Sequence, residues 1–486
     1  MTEHVDGVVS GEPAPPRVVA RPGSTGSVFA RPYRALTLGV ILSVGTVAFE
    51  SLGVATVLPG IAESLNGLGA YGWGLSALML ANIIGTVIAG RSADRSGPWR
   101  PMSAALLVFA AGCVLAGVAV SWPLFLIGRF VQGLGVGAVM AMAYTMIGLA
   151  YPELLRARMF ALLSSAWTVP SLVGPVVAGI LTEHTTWRAV FVLMLPLIAV
   201  AAAMTLPGLR RLRPPEGTGF PENTSTTRWW KSPQASAVLL TVGTGLLLQA
   251  LLLSNVAVLA ALAVVGVAIA VLGLRRTTPE GTMTARAGIG AGVVIRALLC
   301  GVYFGSEALL PLGLQQLRGL STAEAGLGLS AGALTWVAGS MLQAKLDSTR
   351  PGQRTRGVAC GFAVLLAGVA IIAVSILSGA VPAYFAVLGW GIGGLGMGVA
   401  FNASTTDTLE QTPAGRQGEV SAALQLAQTL ATGVLAGLGG AAIAIVRHHG
   451  TAIGPAFLGT FAFTGLLALL GVFLSPRLRP ADARQP

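Results

Sequence analysis

The chain has 486 residues, of which 54% are hydrophobic and 10% are charged, and its mean hydropathy is +0.77. Soluble domains carry charge on about a quarter of their residues. The composition therefore excludes a soluble globular protein and predicts one that crosses a membrane many times. A formal net charge of +12 is also a feature of nucleic-acid-binding proteins, so the placement of the basic residues must be compared with the positive-inside rule of membrane proteins.

Residues 1–33 are rich in proline, glycine and valine and lack an apolar stretch typical of a signal peptide, so they are predicted to be a disordered cytoplasmic tail. Fourteen apolar runs follow, each of about the length that a helix needs to cross ~30 Å of hydrocarbon. The runs lie near 36–60, 71–90, 101–120, 124–149, 159–181, 189–207, 235–253, 255–274, 288–313, 322–344, 357–378, 382–404, 419–446 and 453–475.

The runs divide into six, two and six. The first six are assigned to an N-terminal bundle (34–210), the next two to a linker (211–286) and the last six to a C-terminal bundle (287–476), with a short cytoplasmic tail at 477–486. Two six-helix repeats with an inserted pair are typical of a transporter whose binding site lies between the halves, near the bilayer midplane. The inserted pair is expected to lie at the periphery.

Most of the 30 lysine and arginine residues fall in segments that are cytoplasmic if the N-terminus is inside. This asymmetry follows the positive-inside rule and predicts a multi-pass protein of the cytoplasmic (cell) membrane with both termini in the cytoplasm. It also explains the basic charge, so no nucleic-acid partner is expected. The expected partners are the lipid bilayer, protons and a small-molecule substrate, and the chain is expected to act as a monomer.

All three cysteines fall inside apolar runs, without Cys-x-x-Cys spacing: Cys113, Cys300 and Cys360. This placement disfavours a disulfide framework or a metal site and predicts that the cysteines are small core residues. The histidines have no acidic neighbours at the spacing of metal ligands. We therefore expect neither a metal nor another cofactor.

A compact charged segment separates the second and third apolar runs, so its charges are expected at a membrane surface. It reads Gly90-Arg-Ser-Ala-Asp94-Arg95-Ser-Gly97-Pro-Trp-Arg100. The segment resembles the signature of the major facilitator superfamily between helices 2 and 3, which is Gly-x-x-Ala/Ser-Asp-Arg-x-Gly followed by basic residues. Proline and tryptophan stand where basic residues are usual, so only Arg100 supplies the downstream cation. On its residues alone, the segment is a tight basic hairpin.

This resemblance implies an all-α membrane protein with the major facilitator fold, built from two six-helix pseudo-repeat bundles and, here, two inserted transmembrane helices. It also implies that Asp94, with Arg95, latches the cytoplasmic ends of the halves together in the outward-facing state, through the positive end of helix 13 near Gly418. A degenerate copy of the segment falls at 346–354, between helices 10 and 11, where a repeat should place it.

The fourth run contains Arg129-Phe-Val-Gln132-Gly133-Leu-Gly135, which resembles a second superfamily signature, Arg-x-x-Gln-Gly-x-Gly. An arginine in a membrane helix costs about 2.5–3.5 kcal/mol at the centre on insertion scales. Arg129 is therefore expected to face the protein interior and a partner. The alternative is that Arg129 snorkels to the outer surface near Trp122, with the glycines serving helix packing.

The candidate partner of Arg129 is Glu50 in the first run. Burial near the middle of a span disfavours the charged form of a carboxyl group and allows proton exchange near neutral pH, so Glu50 is predicted to carry protons. Glu50 precedes Pro59 by nine residues. In this spacing the chain resembles the fourteen-helix drug:proton antiporters, whose helix 1 carries an Asp nine residues before a Leu-Pro. The alternative is a permanently ionised Glu50 that pairs with an arginine for structure only.

The fifth run contains Pro170-Ser-Leu-Val-Gly174-Pro175-Val-Val-Ala178-Gly179. It resembles the antiporter signature ending in Gly-Pro-x-x-Gly-Gly, with Pro170 in place of an expected glycine and Ala178 in place of the first glycine of the final pair. Small residues and a proline bend a helix and permit close packing. Packing with no bearing on the direction of transport is the alternative.

In the second half, Arg296 and Glu307 share the ninth run, eleven residues apart. They lie on the same helix face but too far apart for a direct salt bridge. Glu307 is predicted to face the cavity, where it attracts a cationic substrate or carries a proton; the alternative is a shallow Glu307 wetted from outside. Other polar residues are weaker cavity candidates, or interhelical hydrogen-bond partners: Asn82, Tyr144, Trp167, Asn402, Gln425 and Gln428.

Together, the motifs predict a major facilitator of the fourteen-helix drug:proton antiporter type that exports hydrophobic or cationic compounds by alternating access. The alternative within the same fold is export of an endogenous metabolite or lipid. A non-transporting membrane sensor is a second class, which the motifs of helices 1, 4 and 5 disfavour. No set of nucleophile, base and orienting group appears, so an enzyme is not expected.

Overall fold

The computed structural model describes residues 27–210 with interruptions between 153 and 164, and then 232–253, 256–349, 352–412 and 417–479. These residues form fourteen long helices and no strand, so the predicted all-α fold is confirmed. The predicted linker is described only from Ser232 onward, and 1–26 and 480–486 of the predicted tails lie outside the described residues.

Each helix corresponds to one of the fourteen apolar runs, and we number them α1 to α14. The N-terminal bundle holds α1 to α6, which are Arg34–Ser64, Trp73–Ser96, Trp99–Gly117, Trp122–Ala150, Thr168–His184 and Arg188–Leu209. The inserted pair, α7 and α8, is Pro233–Ala250 and Val256–Thr277. The C-terminal bundle holds α9 to α14, which are Ile289–Gln316, Thr322–Thr349, Arg354–Leu377, Phe385–Glu410, Gln417–His448 and Gly454–Leu474.

Twelve of these helices are long and apolar enough to cross a membrane. The other two, α5 and α7, have 17 and 18 residues. A turn at Ala166 and Trp167 separates α5 from a helical stretch that includes Leu163. The break falls just before Pro170, because a proline is tolerated in the first turn of a helix but not in its interior. The chain is therefore a multi-pass membrane protein.

The prediction that the charged segment is a hairpin turn is wrong for most of its length. α2 continues to Ser96, so Gly90 and the residues after it form its last turns, and only Gly97, with φ of +75°, ends the helix. The apolar run stops where the hydrocarbon stops, whereas the helix continues because arginine, alanine and serine do not interrupt it. Most of the signature residues therefore lie in the last turns of α2.

Two expectations drawn from composition are also wrong. Residues 27–33 belong to the predicted disordered tail, yet they form turns against α1, where Val28 is buried and its carbonyl accepts a hydrogen bond from the Thr37 hydroxyl at 2.7 Å. Cys360 is exposed on α11, whereas the other two cysteines are buried as predicted. An apolar run predicts a span but not which of its faces a small residue occupies.

The two bundles pack in the same way. In the N-terminal bundle α4 packs against α2 and α3, and α1 packs against α5 and α6. In the C-terminal bundle α12 packs against α10 and α11, and α9 packs against α13 and α14. These four helix pairs of the first bundle therefore recur eight helices later, which is the internal repeat expected of a transporter fold.

The bundles meet mainly along two helix pairs, α2 with α13 and α5 with α10. The Ser76 hydroxyl donates a hydrogen bond to the Gly433 carbonyl at 2.7 Å in the first pair, and the Ser330 hydroxyl donates to the Leu172 carbonyl at 2.8 Å in the second. These contacts lie toward the end of the molecule where α2 and α10 begin. We name this the closed end, and the opposite end, where α2 finishes, the latch end.

Small residues let the bundles touch through their backbones at the closed end. A Cβ atom added to Gly440 of α13 would lie 2.1 Å from the backbone nitrogen of Gly72. One added to Gly179 of α5 would lie 2.8 Å from the Cα of Ala323. Such distances exclude any larger side chain without movement of a helix.

α7 and α8 form a pair at the edge of the bundles. α7 packs on α2, where the Thr241 hydroxyl donates to the Leu80 carbonyl at 3.1 Å. The Leu248 side chain of α7 also lies beside Gly437 of α13, so α7 touches both bundles. α8 packs mainly on α7 and leaves most of its surface exposed.

Gly85 of α2 provides a test of this packing. A Cβ atom there would lie 2.1 Å from the Leu134 carbonyl oxygen of α4, so we expect Gly85→Ala to lower the free energy of unfolding by about 1–3 kcal/mol. Thermal unfolding of the purified protein measures the loss. Gly459→Ala in α14 is the matched control, because no atom lies within 4 Å of its added Cβ. Equal unfolding temperatures for the two variants would contradict the close approach of α2 and α4.

Candidate functional site

A buried ion pair joins α1 to α4. Glu50 is 0% exposed and Arg129 is 1% exposed, and Nη1 of Arg129 donates a hydrogen bond to Oε1 of Glu50. Arg129 also donates from Nε to the Gly74 carbonyl at 2.9 Å and from Nη1 to Oε1 of Gln132 at 3.0 Å. The alternative in which Arg129 snorkels to the surface is therefore wrong.

The glycines that follow Arg129 bring α4 close to its neighbours. A Cβ atom added to Gly133 would lie 2.2 Å from the Leu78 carbonyl oxygen of α2. One added to Gly135 would lie 2.4 Å from the backbone nitrogen of Phe109 in α3. Because only glycine fits both contacts, the signature holds α4 between α2 and α3 and so determines where the Arg129 guanidinium lies.

One oxygen of Glu50 is left without a hydrogen-bond partner. Oε2 is buried and accepts no hydrogen bond from the described residues, although a carboxylate oxygen has two lone pairs to satisfy. A buried acceptor without a donor is destabilising. The geometry accommodates both the proton carrier and the fixed structural pair, so the role of Glu50 stays a prediction.

The antiporter-like motif of α5 lies between α1 and α10. A Cβ atom added to Gly174 would lie 3.3 Å from the ring of Phe49, which directly precedes the buried glutamate of α1. A Cβ atom added to Gly326 of α10 would lie 2.6 Å from the Pro175 carbonyl oxygen. The motif thus forms part of the contact between the bundles, and its bearing on the direction of transport stays a prediction.

A second buried arginine lies in the C-terminal bundle. Arg296 of α9 is 4% exposed, and its guanidinium carbon lies 3.6 Å from the centroid of the Phe401 ring. Arg296 donates a hydrogen bond to the Thr405 hydroxyl, and its Nη1 lies 3.5 Å from Oε1 of Gln428. Its Nε has no hydrogen-bond partner among the described residues. Arg296 is therefore less completely satisfied than Arg129.

Four aromatic side chains pack together beside Arg296. Tyr303 stacks on Trp390 with ring centroids 4.3 Å apart and meets Trp336 edge-on at 5.2 Å. Trp336 in turn meets Phe401 at 5.3 Å. We name these four residues the aromatic cluster. Sequence reasoning missed them because they come from three different apolar runs, and nothing in a single sequence brings such runs together.

Glu307 lies about one turn beyond Tyr303 on α9. It is 8% exposed and has no hydrogen-bond or ion-pair partner among the described residues. Its spacing from Arg296 prevents a direct salt bridge, as expected. A role in attracting a cation or carrying a proton stays a prediction.

The weaker cavity candidates differ in their environments. Asn82 accepts a hydrogen bond from the Thr86 hydroxyl, one turn along the same helix, at 3.3 Å, and its backbone packs against Gly137 of α4. Tyr144 of α4 is 48% exposed and lies within electrostatic range of Arg296 in the opposite bundle. The other four are half-buried: Trp167, Asn402, Gln425 and Gln428.

The predicted latch residues lie at the latch end of α2 and the start of α3. Gly97 forms the turn, and Arg100 is exposed. For Asp94 and Arg95 the backbone is described but the side chains are not, and the side chains around Gly418 of α13 likewise lie outside the described residues. The latch therefore stays a prediction.

The degenerate copy of the charged segment forms a network that the sequence analysis did not predict. Arg354 donates from Nε to Oδ2 of Asp347 at 3.0 Å and from Nη1 to Glu410. Nε2 of Gln343 donates to Oδ1 of Asp347 at 2.8 Å. The available signal was the repeat itself, because Asp347 ends α10 much as Asp94 ends α2.

The buried pair can be tested by its coupling. Glu50→Leu or Arg129→Met alone leaves a buried charge without its partner, so each is expected to lower the free energy of unfolding by about 3–5 kcal/mol. The double variant buries neither charge and is expected to lose much less than the two single losses combined. Thermal unfolding of the four proteins completes the cycle. Simple additivity would show that the two charges do not stabilise each other.

The sequence is similar to known transporters. A profile of the Major Facilitator Superfamily matches residues 38–436. Multidrug resistance protein 3 of Bacillus subtilis is 28% identical over 166 residues, which are 34% of this chain and 32% of that protein. The acurin A biosynthesis cluster MFS-type transporter of Aspergillus aculeatus is 26% identical over 216 residues, 44% of this chain and 38% of that protein. The matched stretches therefore span well under half the length of these relatives.

The fold is shared with solved structures. PepTSo, a transporter of the POT family, superposes with a TM-score of 0.67 over 93% of this chain and 99% of its own, at 14% sequence identity. At that identity the likeness shows the fold alone. Because the superfamily profile covers most of the chain and the two six-helix bundles repeat one another, the chain belongs to the Major Facilitator Superfamily, whose members are membrane transporters and not enzymes.

Proposed function

We propose that this protein exports hydrophobic small molecules, cationic ones among them, in exchange for protons by alternating access across the cell membrane. The buried pair of Glu50 and Arg129 carries the proposal. A carboxyl group that is sealed from water, half unpartnered and held by an arginine can bind and release a proton as the bundles rearrange. The similarity to a multidrug resistance protein supports efflux.

The positive-inside rule supports an orientation for the cycle. With both termini in the cytoplasm, the closed end faces the outside and the latch end faces the cytoplasm. The contacts of α2 with α13 and of α5 with α10 then hold the outer ends of the bundles together. In this orientation the structure is an inward-facing arrangement.

In this scheme Glu50 exchanges a proton once in each cycle. When the space between the bundles opens outward, Glu50 takes up a proton and the substrate leaves. After the switch the proton is released inside, and Glu50 returns to its ion pair with Arg129, which favours the ionised carboxylate. The formed pair and the sealed closed end correspond to the stage after proton release.

A second candidate function is export of an endogenous metabolite or lipid by the same cycle. The similarity to a transporter of a biosynthesis cluster supports it. A screen of dyes and drugs, combined with metabolite profiles of cells with and without the protein, separates the two functions. A broad spectrum favours drug efflux, and accumulation of one endogenous compound in cells that lack the protein favours metabolite export.

Proton coupling is tested with purified protein in liposomes that contain a trapped pH dye. Under an imposed proton gradient, the wild type is expected to move protons opposite to ethidium, and Glu50→Gln is expected to fall to the background of empty liposomes because an amide cannot carry the proton. Glu63→Gln, at the exposed end of the same helix, is the control and should behave as wild type. Transport without proton movement, or a fully active Glu50→Gln protein, would refute the coupling, and Glu307 would be the next residue to test.

The latch is tested by Asp94→Asn. If Asp94 holds the latch end together in the outward-facing state, the substitution should remove most transport while the protein stays in the membrane at wild-type amounts. The control is Glu280→Gln, which removes an exposed carboxylate between α8 and α9 and should have no effect. Wild-type transport rates in a well-expressed Asp94→Asn protein would rule out the latch.

A further inference from the structure

We infer that Arg296 binds an anionic group of the transported molecule, a carboxylate or a similar oxyanion, and that the half-buried rings of the aromatic cluster bind its flat apolar body. This inference rests on the proposed export function and names a chemical class of substrate for the space between the bundles.

Arg296 has unused hydrogen-bonding capacity. A guanidinium carries five N–H groups in one plane. In Arg296, Nε has no partner among the described residues, and Nη1 has only the 3.5 Å contact with Gln428, which is long for a hydrogen bond. Phe401 covers one face of the guanidinium, so a ligand must approach the edge that carries the unpaired N–H groups. Two parallel hydrogen bonds along such an edge are the geometry in which arginine binds a carboxylate.

Arg296 also lacks a counter-charge. Arg129 is neutralised by Glu50, whereas no described carboxylate lies within 4 Å of Arg296. A lone cation inside a membrane bundle costs about 2.5–3.5 kcal/mol on insertion scales. An anionic ligand supplies the missing counter-charge and so offsets that cost each time it binds.

Arg296 is reached from the space between the bundles. Tyr144 belongs to α4 of the opposite bundle and is 48% exposed. Its side chain is close enough to the Arg296 guanidinium for the two groups to interact electrostatically. Over the described ranges, α4 and α9 do not pack closely on one another. A molecule that enters between the bundles therefore meets Arg296 from the side of Tyr144.

The aromatic cluster provides a surface for the rest of the molecule. Trp336 and Phe401 are half-buried and present ring surface, whereas Tyr303 and Trp390 are buried behind them. Ring faces and edges of this kind pack against flat apolar or aromatic bodies. The side chain of Glu307 lies eleven residues along the same helix, about 16 Å away.

Binding of three matched naphthalene compounds to the purified full-length protein in detergent tests the inference. The compounds are 2-naphthoate, 2-naphthamide and 2-naphthylmethylammonium, which share a body and differ in charge. Quenching of tryptophan fluorescence, to which Trp336 contributes, measures the Kd values. We expect the wild-type Kd for naphthoate to lie at least about tenfold below that for naphthamide, as for a hydrogen bond to a charged group relative to a neutral one.

Variants assign the preference to one residue. Arg296→Gln is expected to abolish the difference between naphthoate and naphthamide, and Arg296→Lys to keep part of it, because lysine retains the charge but not the planar fork. Arg447→Gln, an exposed arginine of α13, is the matched control and should keep the full preference. Equal affinities of the wild type for the two compounds, or an unchanged preference in Arg296→Gln, overturns the inference.

Unfolding temperature separates ligand binding from a structural role. Because Arg296 has no described counter-charge, Arg296→Gln is expected to leave the unfolding temperature unchanged or to raise it. A fall as large as that of Arg129→Met would mean that the protein itself satisfies Arg296, and would overturn the inference even if the variant no longer binds naphthoate.

The liposome assay, combined with the binding assay, distinguishes failure of the anion site from failure of the proposed proton-coupled export. Proton exchange with ethidium, but no preference for naphthoate over naphthamide in the binding assay, leaves proton-coupled export standing and overturns the anion site. A preference that depends on Arg296, without proton movement for any compound, supports the anion site and overturns the proposed coupling.

Discussion

The ion pair between Glu50 and Arg129 is the constraint around which the N-terminal bundle is built. A charge of either sign is tolerated in an apolar bundle only with a partner at hydrogen-bond distance, and this pair involves more than two residues. Arg129 also holds the Gly74 carbonyl of α2, and Gln132 donates onward to the Cys113 sulfur of α3 at 3.2 Å. Three helices thus meet at the Arg129 guanidinium and a fourth joins through Gln132, and the glycines of α4 are needed because those helices must come close enough to reach this network.

The fold repeats between the two bundles, but the chemistry does not. The main helix pairs of the first bundle have counterparts eight helices later, yet the first bundle buries a neutral ion pair and the second buries Arg296 and Glu307 far apart. Repetition of the backbone follows from packing, which depends on the size of side chains more than on their identity. Charge is free to differ, so one bundle can serve the proton while the other serves the substrate.

The fourteen helices could be predicted from the sequence because a helix that crosses a membrane must be apolar over the membrane's thickness. Each such helix therefore appears in the sequence as an apolar run. Sequence reasoning brought Glu50 and Arg129 to attention for a related reason, since a charge within a span needs an explanation. It did not reach the stacking of Tyr303 on Trp390 or the pairing of Arg354 with Glu410, because these contacts join separate runs. It also ended α2 too early, because hydropathy reports where hydrocarbon ends and the helix extends beyond it.

The glycine contact between Gly72 and Gly440 has a mechanical consequence. Where two helices meet through interlocked side chains, a rotation must lift each knob out of its hole, and the barrier is high. Where they meet backbone to backbone, with no side chains between them, a tilt of a few degrees displaces few atoms of either helix. The same absence of side chains that brings the bundles together lets this contact separate without disengaging interlocked side chains when the space between the bundles opens outward.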